Sequence, residues 1–341
     1  MNKFSIGVDL GGTNLRIAAV DEQGKLVEKV TLGTKVSLGR DQVIGDMCDA
    51  IQRMAERFKN SAPLLGIGVG VPGIIDMQTG LLRESPNLPG WADYPVRAEI
   101  ERRLKTVVIL ENDANVAALG EKWLGAAKDF SDMAILTLGT GVGGGLVLGG
   151  RIWRGANGMA GEVGHITVEP EGQLCGCGNR GCVEQYASAT AVVRMAREAA
   201  AGNAGSALTC AASSDPEFSA KSIYNLAIQG DEDARRIFRH AGRYLGIALA
   251  GLINTLNLPI YVIGGGASSA WEAFSPALFE ELRRRSYVYA ATAPHDPTTS
   301  QGASARLEAS TRKTIITRAL LGSDAGLYGA ARLPMIVEAG R

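Results

Sequence analysis

The chain has 341 residues, and its 35 basic and 35 acidic side chains give a formal net charge of zero at pH 7. Hydrophobic residues make up 46% and charged residues 21%, as in an ordinary globular protein, and the length predicts two domains or one large domain of two lobes. Because no basic stripe is present, the composition argues against a nucleic acid partner. Glycine is unusually common at 44 residues, close to twice the average usage of roughly 7%.

The amino-terminal segment predicts a strand and not a targeting signal. Residues 1–12 have neither the apolar core nor the small-residue cleavage site of a signal peptide. The sequence contains no run of about 18 apolar residues that would span a bilayer. The five cysteines are an odd number, which fits a reducing compartment better than a disulfide framework. We therefore expect a cytoplasmic protein without a membrane partner.

A hairpin with a glycine-rich tip opens the fold. Residues 4–10 and 15–20 have the apolar pattern of two strands joined by a tight turn. The turn offers backbone N–H groups and a hydroxyl, and a carboxylate precedes it, which together suit a polyphosphate with its Mg²⁺. The alternative is an ordinary hairpin, since short motifs give many false positives. The candidate residues are Asp9, Gly11, Gly12, Thr13 and Asn14.

The segments that follow predict an alternating α/β plan. Helices are expected over residues 41–58, 114–124, 189–200 and 231–256, and buried strands over residues 65–71, 106–110, 134–138 and 260–263. This alternation favours mostly parallel sheets covered by helices. Two stretches of low hydrophobicity, 202–219 and 293–311, predict surface loops.

Polar residues follow the strand predicted at 106–110. The carboxyl end of a parallel strand faces the crevice in which α/β proteins bind ligands. Asp113 is suited to accept a proton from a hydroxyl group, and Asn112 to hydrogen-bond neighbouring hydroxyls. The alternative is that both residues only cap the helix that is expected from residue 114.

Two further glycine turns repeat the chemistry of the first. Thr140 and Gly141 lie in a Gly-Thr-Gly turn between two apolar strands, and Gly265 and Gly266 follow the strand at 260–263. The recurrence favours phosphate binding over ordinary turns, although the first two turns match neither the Walker A loop nor the dinucleotide fingerprint. The hairpin with the turn at residues 11–14 and the hairpin with the Gly-Thr-Gly turn look like the same structural element used twice. This repetition predicts two lobes of related fold.

The most informative motif is a histidine followed by three cysteines. His165, Cys175, Cys177 and Cys182 offer one imidazole and three thiolates, the complete tetrahedral ligand set of a structural zinc site. The alternatives are incidental cysteines in a flexible loop, or a disulfide, although Cys175 and Cys177 are too close in sequence to bridge comfortably.

Two glutamates bracket this motif. Glu162 and Glu184 carry carboxylates that can bond two adjacent hydroxyls of a polyol such as a sugar. If one ring nitrogen of His165 binds the metal, the other can hydrogen-bond the same ligand or a carboxylate. The alternative is a pair of ordinary surface glutamates.

Together these motifs resemble those of the ROK family of sugar kinases, repressors and open reading frames, and above all its glucose-phosphorylating bacterial members. The resemblance covers nearly the whole chain. Its most specific elements are the glycine block that begins at residue 138 and ends in Gly164-His165, and the Cys-x-Cys-Gly-x-x-Gly-Cys-x-Glu sequence that ends at Glu184.

The resemblance implies an α/β fold of the two-lobed actin-like ATPase (ribonuclease H-like) class with a zinc-binding loop. Residues 1–114 and about 318–341 would form the small lobe, and residues 115–317 the large lobe with the zinc loop and the surface for a homodimer. The stretch 293–311 looks longer than the family has at this point.

The resemblance also implies a role for each candidate residue. Asp113 matches the catalytic base. Gly73 lies in the matching Val-Pro-Gly turn, and Asn87 is expected to contact the sugar or to help the lobes close. The sugar-binding side chains are matched by Asn112, Glu162, His165 and Glu184. The zinc ligands are matched by His165, Cys175, Cys177 and Cys182. The nucleotide-binding positions are Asp9, Gly11, Gly12, Thr13, Asn14, Thr140, Gly141, Gly265 and Gly266.

The expected activity is phosphoryl transfer from ATP, with Mg²⁺, to a hexose, foremost to O6 of glucose. N-acetylmannosamine, N-acetylglucosamine, fructose and allose stay open as substrates, and inorganic polyphosphate as the donor. A sugar-responsive repressor is the alternative from another class. Such relatives carry an amino-terminal helix-turn-helix domain, whereas only three residues precede the first strand predicted here.

Overall fold

Two five-stranded sheets carry the fold in the computed structural model, which describes residues 3–202, 206–293 and 313–339. The strands are β1 (Phe4–Leu10), β2 (Asn14–Asp21), β3 (Leu26–Gly33), β4 (Leu64–Val71), β5 (Ile74–Asp76), β6 (Leu81–Glu84), β7 (Val108–Asn112), β8 (Met133–Leu138), β9 (Val142–Leu148), β10 (Arg151–Ile152), β11 (Ile260–Gly264) and β12 (Ile315–Arg318). The helices are α1 (Arg40–Phe58), α2 (Val96–Leu104), α3 (Asp113–Trp123), α4 (Glu184–Ala187), α5 (Ala189–Gly202), α6 (Ala207–Ser214), α7 (Ala220–Ile228), α8 (Glu232–Leu256), α9 (Trp271–Arg285), α10 (Tyr287–Thr292) and α11 (Ala325–Ala339).

The two sheets have the same internal order. Their strands run β3-β2-β1-β4-β7 and β10-β9-β8-β11-β12, so each sheet begins with a three-strand meander and continues with two later strands. This repeat agrees with the prediction of two related folds. The prediction of mostly parallel sheets was wrong for the first sheet, because β1, β2 and β3 pair antiparallel and only β4 and β7 add in parallel. Short turns can join only antiparallel neighbours.

Helix α1 buries one face against the first sheet. Its apolar residues recur at helical spacing, among them Val43, Ile44, Met47 and Ile51, and they pack with the β1 side chains Ile6 and Val8 in a single core cluster. Each such side chain contributes roughly 1.5–3 kcal/mol when fully buried. This packing fixes the position of the strands whose ends carry the candidate residues.

Helix α11 returns from the end of the chain to the same sheet. At Gly68 in β4 an added Cβ would collide with the Ala330 carbonyl, so glycine is needed for this close approach. Helix α11 also shares a core cluster with α3, in which Val116 and Leu119 pack with Ala330 and Leu333.

The contacts divide the chain into two compact units. The first comprises residues 1–135, 145–161 and 320–341, and the second residues 136–144 and 162–319. The boundary expected after residue 114 differs from this division, because the packing of α3 on α11 joins α3 to the first unit.

The two predicted loops have different outcomes. The stretch 202–219 is not all loop, because residues 207–214 form α6. Ser206 caps α6 by accepting a hydrogen bond from the Thr209 N–H, and Ser219 caps α7 in the same way. Serine caps of this kind compensate for low hydrophobicity. Residues 294–311 of the other predicted loop lie outside the described residues. Among the described residues, no helix combines the length and apolar character needed to cross a bilayer.

Candidate active site

In the first unit, the candidate residues lie at the carboxyl edge of the sheet. The strand register places Asp9 beside Gly70 and Gly70 beside Glu111, with Val71 beside Asn112 one step further on. The ends of β1, β4 and β7 are therefore level. This edge of the sheet brings together the glycine turn that follows β1 and Asp113, which follows β7.

Asn112 and Asp113 join the end of β7 to the start of α3. The Asn112 Oδ1 accepts hydrogen bonds from the N–H groups of Ala114 and Asn115 at 2.9 and 3.2 Å, so the predicted cap is present. The Asn112 Nδ2 donates to the Gly73 carbonyl at 3.2 Å. Asp113 is half-buried, and its Oδ1 accepts a hydrogen bond from the Ala114 N–H at 2.9 Å. The amino terminus of a helix favours the ionised form of such a carboxylate.

Gly73 and Asn87 lie in segments that meet near this edge. Gly73 has φ = 111°, a backbone conformation that favours glycine, and its Cα lies close to Ser85. The backbone of Asn87 lies against Gly12 in the first glycine turn. The Ser85 hydroxyl is buried and has no hydrogen-bond partner among the described residues, which makes it an additional polar candidate that the sequence did not single out.

Asp9 pairs with Arg16 across the first hairpin. The Arg16 Nη1 donates to the Asp9 Oδ2 at 3.1 Å. Burial raises the pKa of Asp9 above its ordinary value, and the Arg16 guanidinium partly offsets this effect. Like the Arg16 guanidinium, a bound cation beside Asp9 would favour the ionised carboxylate.

An ion pair beside Asp113, formed by a buried carboxylate and a partly exposed arginine, was missed by the sequence reasoning. The Glu111 side chain is 1% exposed, and its Oε2 accepts from the Nε and Nη2 of Arg154 at 2.7 and 2.6 Å. Its Oε1 accepts from the Asn112 N–H and the Asn115 Nδ2, both at 3.0 Å. All these bonds hold the chain next to Asp113. The position of Glu111 directly before Asn112 could have drawn attention to this carboxylate. Its partner Arg154 could not be recognised from the sequence, because it lies 43 residues away.

In the second unit, two glycine turns lie side by side. Gly265 has φ = 81°, and an added Cβ would collide with the backbone of Leu138, the residue before the turn that contains Thr140 and Gly141. The Ser268 and Ser269 hydroxyls donate to the carbonyls of Gly265 and Gly266 at 2.7 and 2.9 Å. Both predicted phosphate turns of this unit therefore belong to one surface.

The histidine and the three cysteines converge, as predicted. Their ligand atoms all lie within 4.8 Å of one another. The Cys177 and Cys182 sulfurs are 3.7 Å apart, and the Cys175 sulfur is 3.7 Å from the His165 Nδ1. Tetrahedral zinc with bonds near 2.3 Å requires sulfur atoms about 3.8 Å apart. The geometry and the donor set both fit a structural zinc ion.

The electrostatics of the cluster also fit a cation. Burial raises the pKa of the Cys182 thiol to about 12, whereas a hydrogen bond from the Asn179 backbone lowers the pKa of Cys177. A buried thiol gives up its proton readily only when a positive charge replaces it.

Glu162, His165 and Glu184 lie around this cluster. With the His165 Nδ1 turned toward the sulfurs, its Nε2 is 4.0 Å from the Glu162 Oε2. Glu162 has half of its side chain exposed. Glu184 begins α4 and accepts a hydrogen bond through Oε2 from the Val142 N–H at 2.9 Å. Glu184 is therefore not the ordinary surface residue of the alternative interpretation.

A cavity of about 720 Å³ opens beside the Gly-Thr-Gly turn. Its lining includes Thr140, Thr190, Arg194, Arg197 and Phe218. A cavity with an aromatic ring, aliphatic groups and a few polar side chains is typical of a small-molecule site. The sequence had offered no candidates for the base of a nucleotide. Thr190, Arg194 and Arg197 lie on α5, whereas Thr140 and Phe218 come from other parts of the chain.

The chain is similar to known proteins over nearly its whole length. The model of the ROK family matches residues 5–335. A glucokinase of Halalkalibacterium halodurans is 38% identical over 334 residues, 97% of this chain and 95% of that protein. A xylose repressor of Caldicellulosiruptor bescii is 31% identical over 284 residues, 83% of this chain and 71% of the repressor. The crystal structure of a ROK family glucokinase from Streptomyces griseus, in complex with glucose and AMPPNP, matches with a TM-score of 0.77 at 32% identity, over 97% of this chain and 98% of that chain.

The chain belongs to the ROK family. The match spans almost its whole length and includes both units. The predicted fold class, the α/β actin-like ATPase fold, is confirmed by this membership and by the likeness to the Streptomyces griseus structure.

Proposed function

We propose that this protein is an ATP-dependent sugar kinase that phosphorylates glucose to glucose 6-phosphate. The relationship to glucokinases supports the activity. The observation that carries the proposal for this chain is the aligned sheet edge, where Asp113 follows β7 and is held by a capped helix start beside the Gly73 turn.

Asp113 acts as the general base in this proposal. As attack develops, its carboxylate takes the proton of the sugar hydroxyl, which becomes a better nucleophile toward the γ-phosphoryl group. Asn112 helps to hold that carboxylate, since its side chain bridges the Gly73 carbonyl and the start of α3. Most of the rate enhancement comes from position and electrostatics, as is usual for phosphoryl transfer.

The sugar is bound by groups that can hydrogen-bond neighbouring hydroxyls. In the first unit, Asn87, Asn112 and the Gly73 turn offer such groups. In the second unit, Glu162, His165 and Glu184 offer them. Carboxylates accept from bare hydroxyls, so an acetamido or deoxy position leaves an acceptor unpaired and lowers kcat/KM.

Each unit has glycine turns that are suited to the phosphates of a nucleotide. Backbone N–H groups at Gly11 to Asn14, at Thr140-Gly141 and at Gly265-Gly266 are suited to phosphate oxygens. Asp9 would help to hold Mg²⁺, and a bound Mg²⁺ would neutralise charge on the transferring group. We assign the cavity lined by Thr190, Arg194 and Phe218 to the adenosine part.

The metal in the cysteine cluster is zinc in this proposal, and its role is structural. Four protein ligands fill a tetrahedral shell and leave no position for a reacting water. His165, Cys175, Cys177 and Cys182 would hold the ion and thereby fix the loop that carries Glu184. We further propose a cytoplasmic homodimer that does not bind nucleic acid.

A coupled assay across a sugar panel tests the activity. With ATP and Mg²⁺, we expect glucose to give a higher kcat/KM than 2-deoxyglucose, fructose, allose, N-acetylglucosamine or N-acetylmannosamine. Polyphosphate is tested as donor in parallel. A better rate with an acetylated sugar would change the substrate and keep the mechanism. Sugar binding without transfer to any member of the panel would instead favour the repressor-like role of the Caldicellulosiruptor relative.

A further inference from the structure

The segment of residues 184–190 contacts both the cysteine cluster and the Gly-Thr-Gly turn. It starts two residues after the last cysteine and comprises α4 and the first residues of α5. Every residue concerned belongs to the second unit. The cysteine cluster and the Gly-Thr-Gly turn are thus linked by one short segment of the chain.

On one side, this segment holds the turn through three hydrogen bonds. The Glu184 Oε2 accepts from the Val142 N–H at 2.9 Å, the Ala189 N–H donates to the Gly139 carbonyl at 2.8 Å, and the Thr190 Oγ1 donates to the Thr140 carbonyl at 2.8 Å. Residues on both sides of Gly141 are therefore oriented by the segment. The contact is close, because a Cβ at Gly141 would collide with the Glu184 carboxylate.

On the other side, the same segment forms a wall of the metal cluster. The Cys175 sulfur lies 3.9 Å from the Glu184 Oε1 and 3.6 Å from the Gln185 Nε2. Gln185 also accepts, through its backbone carbonyl, a hydrogen bond of 2.7 Å from Arg194, which lines the neighbouring cavity. Removing the metal would free the cysteines that anchor the start of this segment.

We propose that residues 184–190 couple the metal cluster to the binding of the phosphoryl donor. With the metal in place, the segment is fixed and the turn is preorganised for phosphate; without it, donor binding has to order the segment first. This inference rests on the proposed role of the turn at residues 139–141. Coupling is reciprocal, so a donor that binds better to the metal-loaded protein must also strengthen retention of the metal.

The first experiment measures this reciprocity without catalysis. The metal-loaded protein is titrated with a chelator, in the absence of sugar, with and without saturating AMPPNP, and the metal that remains bound is measured. We expect AMPPNP to raise the apparent metal affinity at least about fivefold, the lower end of ordinary coupling energies. Tripolyphosphate replaces AMPPNP in a second arm, which shows whether phosphates alone are sufficient.

The second experiment weakens the link and leaves the metal ligands unchanged. Thr190→Val removes the hydroxyl that bonds Thr140 and keeps the shape of the side chain. We expect normal metal content, a several-fold weaker Kd for AMPPNP, as befits one lost hydrogen bond, and a smaller effect of AMPPNP on metal retention. Thr190→Ser should restore both. Thr255→Val is the matched control, because Thr255 makes the same kind of bond to Gly251 on an exposed part of α8.

The outcomes separate this inference from the proposed function. If AMPPNP binds and the protein phosphorylates sugar, but metal retention is the same with and without AMPPNP, the coupling is refuted and the kinase function stands. Equal coupling in Thr190→Val and the wild type would refute the assignment to residues 184–190. If the metal-loaded protein neither binds AMPPNP or tripolyphosphate nor phosphorylates sugar, the proposed function fails, and the inference with it.

Discussion

At the scale of single residues, the position of Asp113 is compatible with both roles that the sequence had presented as alternatives, the helix cap and the proposed base. It begins α3 as a capping residue would, and it also follows directly on the sheet edge that gathers the Gly73 and Asn112 groups. A helix start is a good location for such a carboxylate because a backbone N–H group orients it.

Asp113→Asn should lower kcat by roughly 10²–10⁴-fold, the usual loss for a general base. The amide keeps the shape and can still accept the Ala114 N–H bond, so the Kd for glucose should change little. Steady-state kinetics and calorimetric sugar binding check this. A variant with near wild-type kcat would show that another group takes the proton.

The Glu111–Arg154 pair gives a second prediction at this scale. Arg154→Met leaves the buried Glu111 carboxylate without its cation and should lower the free energy of unfolding by about 3 kcal/mol. Glu111→Gln combined with Arg154→Met should cost less than Arg154→Met alone, because no charge is then left buried. Urea unfolding of the three proteins measures the difference. A double variant less stable than the single one would contradict this account.

At the scale of elements, the loop between Glu162 and Glu184 contains one short 3-10 helix, Val163–His165, and no α-helix or longer strand, so its conformation depends on its side chains. Short bridges pair Thr167 with Cys182 and Leu174 with Arg180, and the Tyr186 ring stacks on Tyr244 of α8 at 4.1 Å. Four ligands from one such loop close it around a common centre, as small zinc sites do.

Cys177→Ser should therefore reduce the metal from about one ion per chain to a small fraction of that. Sugar affinity should fall with it by about tenfold or more, as expected when a charged hydrogen-bonding group is displaced. Elemental analysis and calorimetry are the measurements. Cys210→Ser, at an exposed cysteine of α6, serves as the control and should keep both properties. Metal-free protein with full sugar affinity would refute the structural role.

At the scale of the whole molecule, the same sheet order occurs twice and the end of the chain completes the first unit. Helix α11 covers the first sheet next to α3, although more than 300 residues separate α11 from β1 along the chain. The first unit therefore folds from discontinuous segments, and its stability reports on the whole chain.

Gly68→Ala tests this closure. The added methyl would press on the Ala330 carbonyl, which is backbone and cannot turn away, so the variant should lose about 1–3 kcal/mol of unfolding free energy. Gly33→Ala is the matched control, since nothing lies within 4 Å of its added Cβ. Equal stability of both variants would mean that α11 does not approach the sheet this closely.

The sequence by itself determined the local parts of this protein. Helical periodicity located α1 and α8, and the hairpin with Asp9 followed from one short pattern. The metal cluster could also be predicted from the sequence, because its four ligands lie within 18 consecutive residues and their chemistry is specific. Membership in the ROK family follows from the same motifs.

Only the tertiary structure decided which distant residues meet. The register of β1, β4 and β7 aligns the ends of these strands. Glu111 pairs with Arg154, and residues 184–190 contact the Gly-Thr-Gly turn. Local hydrogen bonding and side-chain periodicity are encoded within a few neighbouring residues, so they can be predicted from the sequence. Long-range pairs depend on sheet order and on the close approach of backbones at positions such as Gly68, which no local pattern records.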